Sequence, residues 1–245
     1  MSSEMSSAVV IGGGSGIGAA TVGALVEAGY AVAVADRDVD AARSVAESTG
    51  ASAAFATDVA DETSVSALAA SMQNQFGGVH TVIHAAGISG RFCPLTSLSS
   101  EEWNQTLAIN LSGPFLTLKY FLPLLEQSAG SATFVSSGAA RRGVAHLGDY
   151  SASKHGLLGL VRSAALEYGR SGVRINAVCP GTIDTPMLER SVGDRTTMEK
   201  LGRMAPVGRL GTASEVANLL VWLSSDEASF MTGAVVDVDG GVSAA

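Results

Sequence analysis

Apolar runs of strand length alternate with helical segments along the whole chain, and this alternation constrains the fold more than any other feature. The predicted strands are Ala8–Ile11, Ala31–Ala35, Ser52–Thr57, Thr81–Ala85, Ala132–Ser136, Val173–Val178 and Ala234–Asp237. The predicted helices lie near residues 17–28, 39–48, 61–76, 101–127, 150–170 and 213–224. Such alternation is typical of right-handed βαβ crossovers around a parallel sheet that helices cover on both faces. The sequence therefore predicts an α/β protein.

Composition supports an ordered chain and excludes several classes of partner. Of the 245 residues, 47% are hydrophobic and 16% are charged, and no linker, repeat or low-complexity tract interrupts them. We therefore predict a single domain over residues 1–245. The formal charge of −8 repels nucleic acid and anionic lipid, so neither is expected as a partner.

The termini and cysteines indicate the compartment. Residues 1–7 lack the charged region of a signal peptide, and no apolar run approaches the ~20 residues that a membrane span needs. Cys93 and Cys179 have neither metal-binding nor redox spacing, and Cys179 in an apolar strand is predicted to be a buried structural thiol. A soluble cytoplasmic protein without a metal site is expected.

A glycine-rich loop follows the first predicted strand and opens the first predicted helix. Glycines there let the backbone approach a pyrophosphate, and the free N–H groups of the helix favour an anion. The spacing is G-x-x-x-G-x-G and not G-x-G-x-x-G, and glycines also serve tight turns, but the position between strand and helix favours a dinucleotide site. The predicted cofactor-binding residues of this loop are Gly12, Gly14, Ser15, Gly16, Ile17 and Gly18.

The second predicted strand leads into Asp36 and Arg37. A carboxylate at this position accepts hydrogen bonds from the adenosine ribose and repels a 2′-phosphate, which favours NAD. The Arg37 guanidinium could instead bind that phosphate, but the glycine loop contains no basic residue to assist it. NAD is therefore predicted over NADP.

The next two strand ends carry further candidates for the cofactor site. Asp58 and Val59 are placed to meet the adenine edge, although Asp58 or Asp61 would also suit a helix N-cap. Ala85 belongs to a run of small residues suited to packing against a cofactor. The preceding residue, His84, lies in an apolar strand, and a hydrogen-bonded core histidine is the preferred interpretation.

A tyrosine and a lysine at helical spacing form the candidate reaction centre. Tyr150 and Lys154 lie one turn apart on the same helix face, and a positive charge beside a phenol favours the phenolate and lowers its pKa. Ser137 follows the fifth predicted strand and could hold a substrate oxygen against that phenol. Asn110 lies inside an apolar helix, where its amide needs a partner; it either supports a kink or holds a water on a proton path.

Together these motifs resemble the short-chain dehydrogenase/reductase family over essentially the whole length. The matching residues, in the family's order, are Gly12-x-x-x-Gly16-Ile17-Gly18, Asn110, Ser137, Tyr150-x-x-x-Lys154 and Pro180-Gly181. The resemblance implies a Rossmann-type doubly wound sheet of about seven strands, and hydride transfer between a nicotinamide cofactor and a secondary alcohol or ketone. It implies that Tyr150 is the general acid–base and that Lys154 lowers its pKa and binds the nicotinamide ribose. Ser137 would polarise the substrate oxygen, and Asn110 would position a relay water.

The same resemblance completes the cofactor site. It places Asp58 and Val59 against adenine, the backbone of Ile183 against the carboxamide, and Thr185 against the phosphates. All of these residues follow strands or open helices, and ligands of open α/β sheets bind beyond the carboxyl ends of the strands.

Two positions depart from the family pattern. Ile11 stands where threonine is usual, and His84-Ala85-Ala86-Gly87 replaces Asn-Asn-Ala-Gly. The first and fourth strands are neighbours in this fold. We therefore expect apolar packing around Ile11 in place of a polar tie, with His84 bonded to backbone.

The substrate pocket is predicted from the loops after the fourth, fifth and sixth strands. Its expected lining is Ser89, Arg91, Gly138, Ala139, His146, Leu147, Gly181, Met187 and Leu188. This mostly small and apolar set suits a modest ketone or cyclic secondary alcohol. Arg91, Arg141 or Arg142 could clamp a carboxylate, but solvated or interface roles are preferred. Residues 187–204 are predicted to form a mobile helical lid.

Helices 101–127 and 150–170 and residues 230–242 are broadly apolar. The family's common tetramer buries the corresponding surfaces, so the resemblance implies a homotetramer. Core packing would also explain those residues. The favoured function is NAD-dependent alcohol oxidation. The alternatives are an NADPH-dependent 3-oxoacyl reductase and a non-catalytic cofactor-binding regulator.

Overall fold

The computed structural model describes residues 5–244. Residues 1–4 and residue 245 lie outside that range. The described range therefore leaves out the first residues of the N-terminal segment 1–7 discussed above and both ends of the domain predicted over residues 1–245. The strands are β1 Ser7–Ile11, β2 Ala31–Asp36, β3 Ala53–Ala56, β4 Thr81–His84, β5 Ser131–Val135, β6 Arg174–Pro180, β7 Ile183–Asp184, β8 Gly211–Thr212 and β9 Val235–Val238. The α-helices are α1 Gly16–Glu27, α2 Val39–Thr49, α3 Glu62–Phe76, α4 Ser100–Leu107, α5 Gly113–Ser128, α6 Gly148–Tyr168, α7 Pro186–Val192, α8 Arg195–Arg203 and α9 Ala213–Ser224.

The main sheet has seven parallel strands in the order β3-β2-β1-β4-β5-β6-β9. The chain winds outward from β1 to β3, returns to β4 on the other side of β1, and then winds outward to β9. The strand order thus reverses between β1 and β4, which is where open α/β sheets bind their ligands. The predicted Rossmann-type doubly wound fold is confirmed.

Two apolar layers cover the sheet because successive strand residues point to opposite faces. Val9 and Ile11 of β1 belong to the layer under α3, α5 and α6, whereas Ala8 and Val10 belong to the layer under α1, α2 and α9. The strands are therefore almost continuously apolar, as expected for a parallel sheet buried on both faces.

The helix ends follow local sequence signals. The Asp38 carboxylate accepts from the N–H groups of Asp40 and Ala41 at the start of α2, and Gly50 ends that helix at φ 78°. Asp61 caps α3 in the same way, and Thr212 forms a capping box with Glu215 at the start of α9.

The predicted single helix over residues 101–127 is interrupted. α4 and α5 are joined by a π-helical turn, Ala108–Ser112, that contains the predicted site residue Asn110. π-Turns are rare and concentrate at functional sites. The apolar periodicity of the segment predicted its helical state but not this change of hydrogen bonding.

The predicted helical lid at 187–204 corresponds to two short helices, α7 and α8. Beneath them, β7 and β8 form a separate parallel ladder. Among residues 5–244, no helix combines the length and apolar character that a membrane crossing requires. Within the same range, no group of three or more His, Cys, Asp or Glu side chains is arranged to hold a metal ion.

Candidate active site

The carboxyl ends of β1, β2, β4, β5 and β6 meet at one edge of the sheet. The glycine loop follows β1, Asp36 ends β2, and Ser137 follows β5. Tyr150 and Lys154 lie in the first two turns of α6, which packs against β6. The topology therefore brings together at this edge the residues that the sequence predicts for the cofactor and for the reaction.

The glycine loop is packed so closely that side chains are excluded. Gly12 has φ 82°, and a Cβ added to it would lie 2.4 Å from the Ala86 nitrogen. A Cβ on Gly18 would lie 2.0 Å from the Gly12 carbonyl oxygen. The loops after β1 and β4 are also joined by hydrogen bonds, because the Ile11 carbonyl accepts from Ala85 at 2.7 Å and from Ala86 at 3.0 Å.

The start of α1 offers a cradle for an anion. Ser15 is the N-cap residue, is exposed, and makes no side-chain capping bond, so its hydroxyl leaves the first N–H groups of the helix uncovered. Gly16 and Ile17 form the first turn. A Cβ on Gly16 would come within 3.4 Å of the Thr185 methyl group, which places Thr185 across from the loop. This arrangement fits the pyrophosphate of a dinucleotide.

The Asp36 carboxylate connects the glycine loop to the end of β2. Its Oδ2 accepts from the Gly14 N–H at 2.9 Å, and its Oδ1 accepts from the Asp38 N–H at 3.0 Å. Two bonds leave lone pairs on both oxygens for the hydroxyls of a ribose. Arg37 is exposed beside it.

The remaining cofactor-site candidates, Asp58, Val59 and Ile183, differ in burial and in hydrogen bonding. The Asp58 carboxylate accepts from Ala60 N–H at 2.9 Å and closes a turn, while Asp61 is the N-cap of α3. Val59 is buried against Gly113 at the start of α5. Ile183 is also buried, with its tip against Gly211.

Asn110 clamps the loop after β4. Its Oδ1 accepts from the Ile88 N–H at 2.9 Å, and its Nδ2 donates to the Ile88 carbonyl at 2.8 Å and to the Ser153 hydroxyl at 3.2 Å. Ser153 in turn donates to the Tyr150 carbonyl at 2.7 Å. The fully buried Asn110 amide therefore ties the π-turn, the loop after β4 and α6 together, and its placing of a relay water stays a prediction.

Ser153 was not identified from the sequence as a site residue. It lies between the tyrosine and lysine of the motif, and small residues in a helix usually signal packing only. Its contribution depends on the π-turn, which no residue pattern in the sequence predicted.

Lys154 is buried and directed to the end of β5. Its Nζ donates to the Val135 carbonyl at 3.0 Å and lies 5.8 Å from the centroid of the Tyr150 ring. Burial lowers the pKa of Lys154 from the ordinary 10.5 to about 8.

Burial also raises the pKa of the Tyr150 phenol, an effect that the Ser137 hydroxyl opposes by hydrogen bonding. The net direction is opposite to the lowering predicted from the lysine charge. Burial penalises the charged form of both groups, and for the phenol it outweighs the hydrogen bond from Ser137. The prediction of a lowered tyrosine pKa is therefore wrong for this arrangement.

His84 is a core residue, but its predicted backbone bond is wrong. It pairs with Ile11 across β4 and β1, and its Nδ1 is 3.0 Å from the Thr117 hydroxyl of α5. Its ring stacks on Phe134, and burial lowers its pKa to about 3, so it is neutral. Ile11 is fully buried in the same apolar layer, as predicted.

Two of the three candidate arginines form intramolecular ion pairs. Arg141 makes a bidentate pair with Asp237 of β9, at 3.0 and 2.9 Å, and Arg91 pairs with Glu102 at 3.1 Å. Arg142 is exposed. The solvated or interface roles preferred from the sequence stay predictions.

Comparisons with known proteins identify the family. A family model described as enoyl-(acyl carrier protein) reductase matches residues 12–243. A 2,5-dichloro-2,5-cyclohexadiene-1,4-diol dehydrogenase of Sphingobium indicum is 42% identical over 240 residues, or 96% of each chain. A cyclohexanol dehydrogenase of an Acinetobacter species is 36% identical over 238 residues, which cover 95% of this chain and 93% of the relative. The crystal structure of levodione reductase matches with a TM-score of 0.94 at 35% identity, covering 98% of both chains.

The chain therefore belongs to the short-chain dehydrogenase/reductase family. It is an oxidoreductase of that family, which transfers hydride between a nicotinamide cofactor and a secondary alcohol or ketone.

Proposed function

We propose that this protein is an NAD-dependent dehydrogenase of cyclic secondary alcohols, with Tyr150 as its general acid–base. The observation that carries the cofactor assignment is the Asp36 carboxylate, held at the end of β2 by Gly14 and Asp38. Its negative charge, at the position that meets the adenosine ribose, favours hydroxyls and opposes a 2′-phosphate.

The residues present fit NAD along its length. The uncapped start of α1, with Gly12, Gly14 and Ser15, would hold the pyrophosphate, and Thr185 would close over it. Asp58 and Val59 would meet the adenine, and the Ile183 backbone the carboxamide. Lys154 would bind the nicotinamide ribose, with Ala85 against the cofactor on the side of β4.

The reaction follows from the groups around Tyr150. The bound nicotinamide supplies the acceptor for the hydride that leaves the carbinol carbon. The Ser137 hydroxyl holds the substrate oxygen, and the phenol oxygen of Tyr150 takes the alcohol proton in oxidation or returns it in reduction. A protonated phenol at neutral pH suits the acid role directly. In oxidation the phenol must first release its own proton to solvent, and the Lys154 ammonium beside the ring would favour the phenolate that results.

The substrate class rests on the residues near Ser137 and on the relatives. Gly138 and Ala139, which follow Ser137, are small and apolar, and such residues suit a compact apolar ring. Two of the relatives named above act, by their names, on a cyclohexadiene diol and on cyclohexanol. A six-membered carbocyclic alcohol is therefore the proposed substrate class.

The test is a matched panel read at the absorbance band of reduced nicotinamide. Cyclohexanol and cyclohexane-1,4-diol are compared with 2-hexanol, an open-chain alcohol of the same carbon number, each with NAD and with NADP. We expect the two cyclic alcohols to be turned over faster than 2-hexanol. We also expect turnover of each alcohol to be faster with NAD than with NADP.

The two alternatives are distinguished in the same assay. Preferential reduction of a 3-oxoacyl thioester with NADPH would replace the proposal by the reductase function. NAD binding without turnover of any alcohol or ketone would instead support a non-catalytic regulator.

We also propose a homotetramer. Large apolar side chains lie exposed on two faces: Phe115 on α5 and Leu166 on α6, and Trp222 on α9 with Phe230 before the edge strand β9. Two faces per chain are what a tetramer with two kinds of interface needs. Light scattering on the purified protein measures the assembly directly, and a monomer would contradict it.

We further propose that α7 and α8 close over the bound substrate. The Ser191 hydroxyl of α7 lies 3.0 Å from the Ser89 hydroxyl, so α7 is in contact with the loop after β4. Hydrogen exchange in residues 187–204 should slow when NAD and a substrate analogue are added; unchanged exchange would contradict a lid.

A further inference from the structure

A buried carboxylate stands directly beside the reacting phenol. Asp149 is fully inaccessible to solvent, although it lies in the first turn of α6 next to Tyr150. Its Oδ1 accepts from the Tyr150 backbone N–H at 2.8 Å, and its Oδ2 accepts from the Thr106 hydroxyl of α4 at 2.7 Å. One side chain therefore joins the backbone of Tyr150 to a second helix.

The loop after β4 packs onto the same carboxylate. Gly90 has φ 70°, and a Cβ added to it would lie 2.5 Å from Asp149 Oδ2. Only a residue without a side chain fits there. Asp149 is thus enclosed by α4, α6 and the loop that Asn110 also clamps through Ile88.

Ordinary helix capping does not explain this burial. Asp38 and Asp61 cap α2 and α3 from exposed positions, and their cost of desolvation is small. Burying a carboxylate is costly unless its hydrogen bonds compensate, so a fully buried one is expected where its position matters.

We propose that Asp149 is a positioning residue: it fixes the start of α6 against Thr106, and so sets the distance between the Tyr150 phenol and the Ser137 hydroxyl. The proposal rests on the acid–base role proposed for Tyr150. A displacement of about 1 Å of a reacting group can cost roughly 100-fold in rate, so the effect belongs in kcat and not in cofactor affinity.

The test compares Asp149→Ala, Asp149→Asn, Thr106→Val and Thr106→Ser, with Glu101→Ala as the control. Glu101 is an exposed carboxylate in the first turn of α4, so its removal tests the loss of a helix-end charge without the buried contact. Turnover is normalised to the number of NAD-binding sites, which are counted by fluorescence titration with NADH.

We expect Asp149→Ala to lower kcat per site by about 100-fold, with the NAD dissociation constant unchanged within about twofold. Asp149→Asn keeps the shape and an acceptor for the Tyr150 N–H, so it should retain most of the activity. Thr106→Val should lower kcat by about tenfold and Thr106→Ser should restore it, because only the serine keeps the hydroxyl. Glu101→Ala should match the wild type.

Wild-type turnover per site in Asp149→Ala would overturn the proposal. A parallel loss of NAD binding and turnover would also overturn it, because that outcome marks a general structural defect. If Asp149→Ala does not fold, the proposal is tested by comparing kcat of Thr106→Val with kcat of Thr106→Ser. Equal values in these two variants would overturn it. The two proposals fail in different ways. If the wild type does not oxidise the cyclic alcohols, the proposed substrate class is wrong. The Asp149 variants can still be compared with any secondary alcohol that the wild type oxidises.

Discussion

The two halves of the site are built from different groups. On the proposed cofactor side, around β1 and β2, the groups are mostly backbone: glycines without side chains and free N–H groups at the start of α1, together with the Asp36 carboxylate, which accepts from the Gly14 N–H. On the proposed reaction side, around α4 and α6, buried polar side chains hold the geometry, among them Asn110, Asp149 and Lys154.

This difference predicts which substitutions each half of the site tolerates. A site made of backbone is insensitive to the loss of most side chains but cannot accept an added Cβ. A site made of buried side chains fails when one polar group is removed, because its partners are left without hydrogen bonds. The following predictions test the contrast, from the largest expected effect to the smallest.

Tyr150→Phe should lower turnover by about 1,000-fold or more, because general acid–base catalysis contributes roughly 100- to 10,000-fold. NAD binding should persist, since the cofactor half is untouched. Initial rates and NADH titration measure the two effects separately. Tyr168→Phe, at the far end of the same helix, is the matched control and should retain full activity. Substantial residual turnover in the Tyr150 variant would refute the assigned role.

Lys154→Met should abolish turnover yet stabilise the fold at pH 7. The difference between the ordinary pKa of 10.5 and about 8 in the folded protein corresponds to roughly 3 kcal/mol against charging Lys154. The sign follows from the depressed folded pKa: the penalty is complete below pH 8 and is relieved as pH rises towards 10.5.

The stability advantage of Lys154→Met over the wild type should therefore shrink between pH 8 and 10.5, as measured by urea unfolding at several pH values. Lys119→Met, which removes a surface lysine paired with Glu62, is the control and should show no such convergence. A constant difference between Lys154→Met and the wild type would show that Lys154 carries no penalty.

Gly18→Ala and Gly23→Ala test the glycine side within one helix. The added methyl on Gly18 would meet the Gly12 oxygen at 2.0 Å, whereas on Gly23 it would make an ordinary 3.6 Å contact with Thr49. Gly18→Ala should lower the free energy of unfolding by about 1–3 kcal/mol and weaken NAD binding. Gly23→Ala should raise the free energy of unfolding by up to about 1 kcal/mol, because alanine has a higher helix propensity than glycine. Equal denaturation midpoints would contradict the packing argument.

Asp36→Asn should alter cofactor choice and little else. The change keeps the shape but removes the charge, so the preference for NAD over NADP should fall by about tenfold, in line with the value of a hydrogen bond to a charged group. Asp38→Asn removes a neighbouring charge while keeping the helix cap, and this control variant should keep the wild-type preference for NAD over NADP. The preference is measured as the ratio of kcat/KM with NAD to kcat/KM with NADP. If Asp36→Asn leaves this ratio unchanged, Asp36 does not determine the choice of cofactor.

The sequence by itself determined the alternation of strands and helices, the parallel sheet and the residues gathered at its carboxyl edge. These features are local in origin: apolar periodicity, glycines between strand and helix, and helix caps such as Asp61 all act within a few residues. The tyrosine–lysine spacing is local in the same way, so the sequence alone was enough to nominate this pair as the candidate reaction centre.

Only the tertiary structure decided how the polar groups are satisfied. The π-turn at Asn110, the bond from His84 to Thr117, the burial that raises the pKa of Tyr150, and the enclosure of Asp149 each join segments far apart in the chain. The physical reason is that desolvation and hydrogen-bond partners depend on which segments meet in space, and a residue pattern does not carry that information.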